Sequence, residues 1–281
     1  MIISAEKKEK VPAAVSIVKD IAGNLKLILE LSKNDLKKRF ADSYFGILWA
    51  FVSPIITICV YWFVFTVGMR GGGEAVNGYP YVLWLISGLI PWFLFSEILT
   101  SGTNVLLEYA YLVKKIVFNV SILPVVKLVT ATFIHLVLLL FTLLIFMGTG
   151  HLPDAYMLQI PYYIIALWCF SISCVFMTSA VVLFFRDLGQ LVNIFMQVFI
   201  WITPIMWQDA LVAEGHPILI SILRLNPMYY IVKGYRDAMI NHVWFWEDMG
   251  MTVYFWVVTA LLFVLGSTVF VRLKPHFSDV L

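Results

Sequence analysis

The stretch LPVVKLVTATFIHLVLLLFTLLIFM, residues 123–147, holds only one lysine, Lys127, and one histidine, His135. A helix crosses the hydrocarbon core of a bilayer with about 20 apolar residues. This stretch therefore reads as a transmembrane span. Outward from it, 46–69, 81–103, 157–185, 188–207 and 252–271 read the same way, the fourth span (157–185) being long enough to tilt. Apolar residues make up 62% of the 281 positions and charged residues 13%. Soluble domains run near half apolar and a quarter charged, so lipid must form part of the solvent. The expected fold class is an all-α polytopic membrane protein with six transmembrane helices: a cytoplasmic segment at 1–45 and a membrane domain at 46–281.

Lysine and arginine set the orientation. With the N-terminus inside, the cytoplasmic side holds the nine basic residues of 1–45 together with Lys114, Lys115, Lys127, Arg186, Arg272 and Lys274. The outside holds Arg70, Arg224, Lys233 and Arg236. Both termini are thus expected in the cytoplasm, with the first span serving as an uncleaved anchor in the inner membrane. A net charge of +2 makes no case for nucleic acid.

Two segments break the simple pattern. Before the first span, Val18, Ile21, Leu25, Ile28, Leu29, Leu36 and Phe40 fall on one helical stripe, and Lys19, Lys26, Glu30, Lys33 and Lys37 on the other. This predicts an amphipathic helix lying in the membrane surface. Before the last span, 208–251 is far longer than an ordinary connection. It contains two apolar pieces, 217–225 and 227–240, too short to span and expected to form re-entrant helices. Pro217 and Pro227 suit first helical turns, and Asn226 is placed to cap the second piece.

Chemistry-bearing patterns are mostly missing. No G-x-x-x-x-G-K-[ST] loop follows the Gly71–Gly72–Gly73 turn, no histidine pair has zinc spacing, and no G-x-S-x-G elbow exists. Cys59, Cys169 and Cys174 sit in apolar runs as small hydrophobes. No catalytic residue, no metal and no cofactor is therefore expected in this chain. Polar groups at membrane depth are Glu97, Lys127, Gln190, Asn193 and Gln197. Glu97 alone is too few acids for a proton relay, and neutralising a basic residue near the inner surface is its simpler role. The many aromatics suit interfacial belts and helix contacts, with stacking on sugars left open.

Further stretches resemble one family in order. They are RFADSYFGILWAFVSP at 39–54, GLIPWFLFSE at 88–97, NVLLEYAYLVKK at 104–115, RDLG at 186–189, TPI at 203–205 and LNP at 225–227. Together they resemble the polysaccharide-export permeases of ABC transporters, over about 35–240. The resemblance implies a homodimer forming a channel, with two copies of a cytoplasmic ATPase that bind ATP and Mg²⁺. It implies a lipid-linked glycan of O-antigen, capsule or teichoic-acid type as cargo. It also implies that the surface helix, with Lys37 and Arg39, and the segment 104–122, with Glu108, Tyr111, Lys114 and Lys115, meet the ATPase. Pro227, Met228, Tyr229, Tyr230 and Tyr235 would belong to an outward gate. A permease for drugs or lipids is the alternative within the class. Outside it stand a scaffold and a membrane glycosyl- or acyltransferase, the latter needing a cluster among Asp209, Glu214, His216, Asp237, Glu247 and Asp248.

Overall fold

The computed structural model describes residues 12–39, 44–68, 77–115, 118–209 and 217–281. Phe40, Arg70, the Gly71–Gly73 turn, Glu214, His216 and positions 40–43 of the first family-like stretch lie outside them. The described helices are α1 (Ala13–Gly23), α2 (Leu25–Arg39), α3 (Trp49–Trp62), α4 (Tyr81–Thr103), α5 (Val105–Glu108), α6 (Ala110–Val113) and α7 (Leu123–Gly148). After them come α8 (Ile160–Val182), α9 (Leu188–Ile202), α10 (Pro217–Arg224), α11 (Pro227–Arg236), α12 (Met249–Leu273) and α13 (Phe277–Val280).

Helix α4 is the axis of the molecule. It has no polar stripe, and it is buried on every side by α3, α7, α8, α9 and α11. Without a hydrophobic drive between helices in lipid, close approach comes from small residues. Gly266 lets α12 cross α8: a Cβ there would lie 2.4 Å from the Ser173 carbonyl oxygen. Gly234 does the same for α11, where a Cβ would lie 2.0 Å from Tyr163 Cε1.

Five described helices are long and apolar enough to cross a membrane: Gly46–Gly68, Tyr81–Thr103, Val120–Gly148, Ala155–Val182 and Met249–Val280. The remaining expected span, 188–207, is shorter than its apolar run. Thr203 turns extended (φ −77°, ψ 131°) because Pro204 follows it, so α9 stops at Ile202 after 15 residues. At 1.5 Å per residue it is about 22 Å long.

The surface helix expected over 20–40 is two helices, broken at Asn24, whose backbone leaves the helical region (φ −126°, ψ 22°). Its packed side also differs from the apolar stripe. Ile28, Ser32 and Asp35 face α7, while Val18, Leu25 and Leu29 stay exposed. The reason is polar: Ser32 Oγ reaches the Val126 carbonyl at 3.1 Å, and Asp35 finds a cation on α7.

The bundle has two distinct ends. One gathers α1, α2, α5, α6 and α13 with the turn before α9, where Gly189 sits against Asn104. The opposite end gathers residues 77–80, 151–159 and 203–209 with α10, α11 and 237–248, tied by contacts such as Tyr79 stacked on His151 and Gln159 Nε2 donating to the Val243 carbonyl.

Candidate functional site

At the α2 end a buried charge network joins three elements. Lys127 Nζ, four residues into α7, lies 2.7 Å from Asp35 Oδ1 on α2 and 2.8 Å from Glu108 Oε2 on α5. Tyr109 OH donates to the same Asp35 oxygen at 2.6 Å, and its ring lies 5.5 Å from the ammonium. Burial, and then the bond to Asp35, push the Tyr109 phenol above its ordinary range, so it remains a donor. A second pair links α2 to α4: the Arg39 guanidinium is bidentate on Glu97, with Nη2 to Oε2 at 3.1 Å. Asp35 and Lys127 are buried, whereas Glu108 is half exposed.

Two open spaces meet beside this network. A polar cleft of about 480 Å³ is lined by Asp35, Arg39, Glu97, Asn104, Lys127 and Asn193, among others. A groove of about 660 Å³ continues from it along α9, since Thr100 and Asn193 border both. Tyr61, Trp92, Gln190, Gln197 and Trp201 line the groove, and Tyr61 meets Trp201 edge-on at 6.5 Å. The path thus begins among paired charges and continues between amides and aromatic rings.

At the opposite end α11 is seated inside the bundle. Asn226 Oδ1 accepts from Met228 N at 2.9 Å and caps it, with Pro227 in the first turn. Tyr229 OH donates to Asp209. Tyr230 OH bonds Tyr162 OH at 2.8 Å and Thr252 Oγ1 at 3.1 Å, and Tyr235 OH lies 3.0 Å from His135 Nε2.

The sequence model of the ABC-2 type transporter family matches residues 26–240. The chain belongs to that family. An O-antigen export system permease protein of Klebsiella pneumoniae is 27% identical over 259 residues, covering 91% of this chain and 95% of the relative. One from Myxococcus xanthus is 23% identical over 265 residues, covering 94% and 99%.

This ABC-2 transporter chain is a membrane subunit, and hydrolysis of ATP belongs to a separate subunit. Several residues singled out in the sequence converge at its α2 end: Arg39 with Glu97 and Lys127 with Glu108 form two ion-paired groups on one cleft. Tyr111 is exposed beside it, with the Lys38 ammonium 5.8 Å from its ring, and Lys37, Lys114 and Lys115 are exposed nearby. Asn193 and Gln197 stand in the groove instead. Asp35 and Tyr109, the network's buried centre, were not singled out. An acid on the polar face of a lysine-rich helix looks solvated, and its partner is 92 positions away.

The gate surface is arranged differently from the expectation. Met228, Tyr229, Tyr230 and Tyr235 are each 5% exposed or less. They form core within the protomer rather than a face offered outward, because α11 packs against α4 and α8. The outward apolar side belongs to α10, through Ile218, Leu219, Ile222 and Leu225. Of the acidic residues expected to cluster in 208–251, Glu214 lies outside the described residues, and the others sit in separate contacts or around one lysine. Asp237 and Asp248 flank Lys233 at 2.8 and 3.8 Å, and Glu247 Oε1 accepts the Trp244 N–H at 2.8 Å. These contacts brace Lys233 and the turn at 244–247.

Proposed function

We propose that the chain is the channel-forming subunit of an ATP-driven exporter that moves a lipid-linked polysaccharide of O-antigen, capsule or teichoic-acid type across the inner membrane. Two copies enclose the passage and two copies of an ATP-binding cassette ATPase, which carry the ATP and Mg²⁺, dock at the α2 end. That end and both termini are cytoplasmic. Helix α9 completes six spans, and α10 with α11 re-enter from the outside as the gate, α11 anchored and α10 the part free to move.

The continuous path from cleft to groove carries this reading. Five of the titratable groups at the cleft pair off, Lys127 with Asp35 and Glu108, and Arg39 with Glu97, while Lys38 lies 5.8 Å from the Tyr111 ring. Among the remaining lining groups are the hydroxyls and amides of Thr100, Ser101, Asn104, Thr130 and Asn193. Neutral donors and acceptors of this kind suit sugar hydroxyls better than an apolar drug. Tyr61, Trp92 and Trp201 add ring faces along the groove, and the full-length relatives named for O-antigen export support the same cargo.

The test is reconstitution with the partner ATPase. Asn193→Trp and Gln197→Trp narrow the groove without touching the charge network. Both should stop appearance of glycan outside while ATP hydrolysis continues. Undiminished export in well-assembled variants would remove α9 from the passage.

A further inference from the structure

Arg236 occupies a seat built for it. It ends α11, its side chain is buried, and its guanidinium lies flat over the Trp84 ring at 3.5 Å from the centroid. Nη1 donates to the Pro204 carbonyl and Nη2 to the Ile205 carbonyl, both at 2.6 Å, and Nε reaches the Trp84 carbonyl at 3.5 Å. Gly88 leaves the room: a Cβ there would lie 2.7 Å from Nη2. Among the described residues no carboxylate lies within ion-pair distance of this guanidinium. Its charge is met by carbonyl dipoles just beyond the C-terminus of α9, the negative end of that helix.

The carbonyls it holds matter because of where they lie. Pro204 and Ile205 immediately follow α9, and every residue from 203 to 206 is tied to the rest of the bundle. Asn226 Nδ2 donates to Thr203 Oγ1 at 2.9 Å and Tyr81 OH to the Met206 carbonyl at 2.6 Å. Thr203, Ile205 and Met206 are buried, while α9 itself exposes Leu191, Ile194, Phe195, Val198, Trp201 and Ile202. The helix beside the groove is thus pinned most firmly at its outer end.

We infer that Arg236 is a positioning residue, a clasp that holds the outer end of α9 shut, and that transport requires it to let go. The inference rests on α9 being a wall of the passage. A buried guanidinium cannot abandon its acceptors without replacements. Replacements stand ready, because a polar cavity of about 280 Å³ borders Arg236 and is lined also by the Asp209 carboxylate and the amides of Asn77, Gln208 and Asn241, with Lys233 at its wall. Guanidinium carries five N–H donors, and the carbonyls engage three of them. Two seats, one on carbonyls and one beside the Asp209 carboxylate and the side-chain amides, give α9 two discrete positions instead of a continuous drift.

The experiment uses the full chain with its ATPase in cells, with Cys59, Cys169 and Cys174 replaced by alanine. A reporter cysteine at Met206 and a control at Ser171, both buried, are probed from outside with an impermeant maleimide. Arg236→Gln should raise labelling at Met206→Cys by at least about tenfold, as local opening does. Labelling at Ser171→Cys, deep against α8's neighbours, should stay unchanged, and ion leak should rise. Arg236→Lys should fall between, since one ammonium replaces a flat fork. Gly88→Ala, which crowds Nη2 and keeps the charge, should reproduce part of the effect if the glutamine variant fails to assemble. Protection of Met206→Cys at the wild-type level in all three variants overturns the clasp. Equal rises at both reporters overturn it too, showing general loosening. A rise confined to Met206→Cys with export and leak both unchanged would keep the contact, yet remove its role in transport, by showing that α9 is not a passage wall.

Discussion

Lys127 Nζ and Asp35 Oδ1, 2.7 Å apart, fasten α2 to α7, a helix long and apolar enough to cross a membrane. Both side chains are more than nine-tenths buried, and Tyr109 completes the carboxylate's partners from a third element. Removing one partner of a buried pair costs roughly 3–5 kcal/mol, whereas replacing both with apolar groups is often close to neutral. Lys127→Met should therefore lower the thermal midpoint of the purified protein clearly, and Asp35→Leu combined with Lys127→Met should recover most of it. Glu108, half exposed, can turn to water in either variant. Additive losses in the double variant would show that the two residues do not act as a pair.

What the sequence discloses follows from what each element answers to. The span at 81–103 was legible to its ends because Pro80 precedes it and apolar character fills it. Asn226 as a cap was legible because capping is local. Asp35 and Arg236 were not, since each is defined by partners far along the chain. In α11 nearly every residue is buried, Gly234 and Arg236 included, so its apolar periodicity does not mark which residues turn inward. The break at Asn24 left only Gly23 beside it as a hint, and helix periodicity runs through it unchanged.

The exposed lysines beside the network are the contact expected to receive motion from the ATPase. Lys114→Glu with Lys115→Glu reverses the charge there while leaving the Lys127 network intact. Glycan export should fall at least tenfold, well beyond the fraction of a kcal/mol that an exposed ion pair contributes to stability. ATPase assay and pull-down of the partner distinguish lost docking from lost coupling. Wild-type export would exclude the segment from both.

Orientation is checked at two exposed positions on opposite ends. Leu152 is 73% exposed beside the Tyr79–His151 stack, and Lys114 follows α6. A single cysteine at Leu152 should react with an impermeant thiol reagent in intact cells. One at Lys114 should react only after permeabilisation. The reverse result would invert the membrane topology.

The two helices proposed as the gate should respond oppositely to substitution. Ile218→Asn with Ile222→Asn alters an exposed face of α10, so stability should move by under about 0.5 kcal/mol while resting ion conductance rises. Tyr230→Ala empties a buried site and removes one hydrogen bond each from Tyr162 and Thr252, at a cost of about 3–5 kcal/mol typical of buried aromatic truncation. Conductance recorded in planar bilayers and melting followed by tryptophan fluorescence separate the effects. An unchanged conductance in the α10 variant would leave that helix a surface feature.

The brevity of α9 has a consequence for the lipid around it. Its helical run of about 22 Å falls short of the roughly 30 Å hydrocarbon thickness of a typical bilayer. Lipid contacting its bare outer face must compress to match, storing elastic energy at fractions of a kcal/mol for each ångström of mismatch. Covering that face with the same face of a second copy expels the strained annulus and releases the energy. If α9 spans as proposed, bilayer elasticity itself then favours the proposed pairing of two chains along this face.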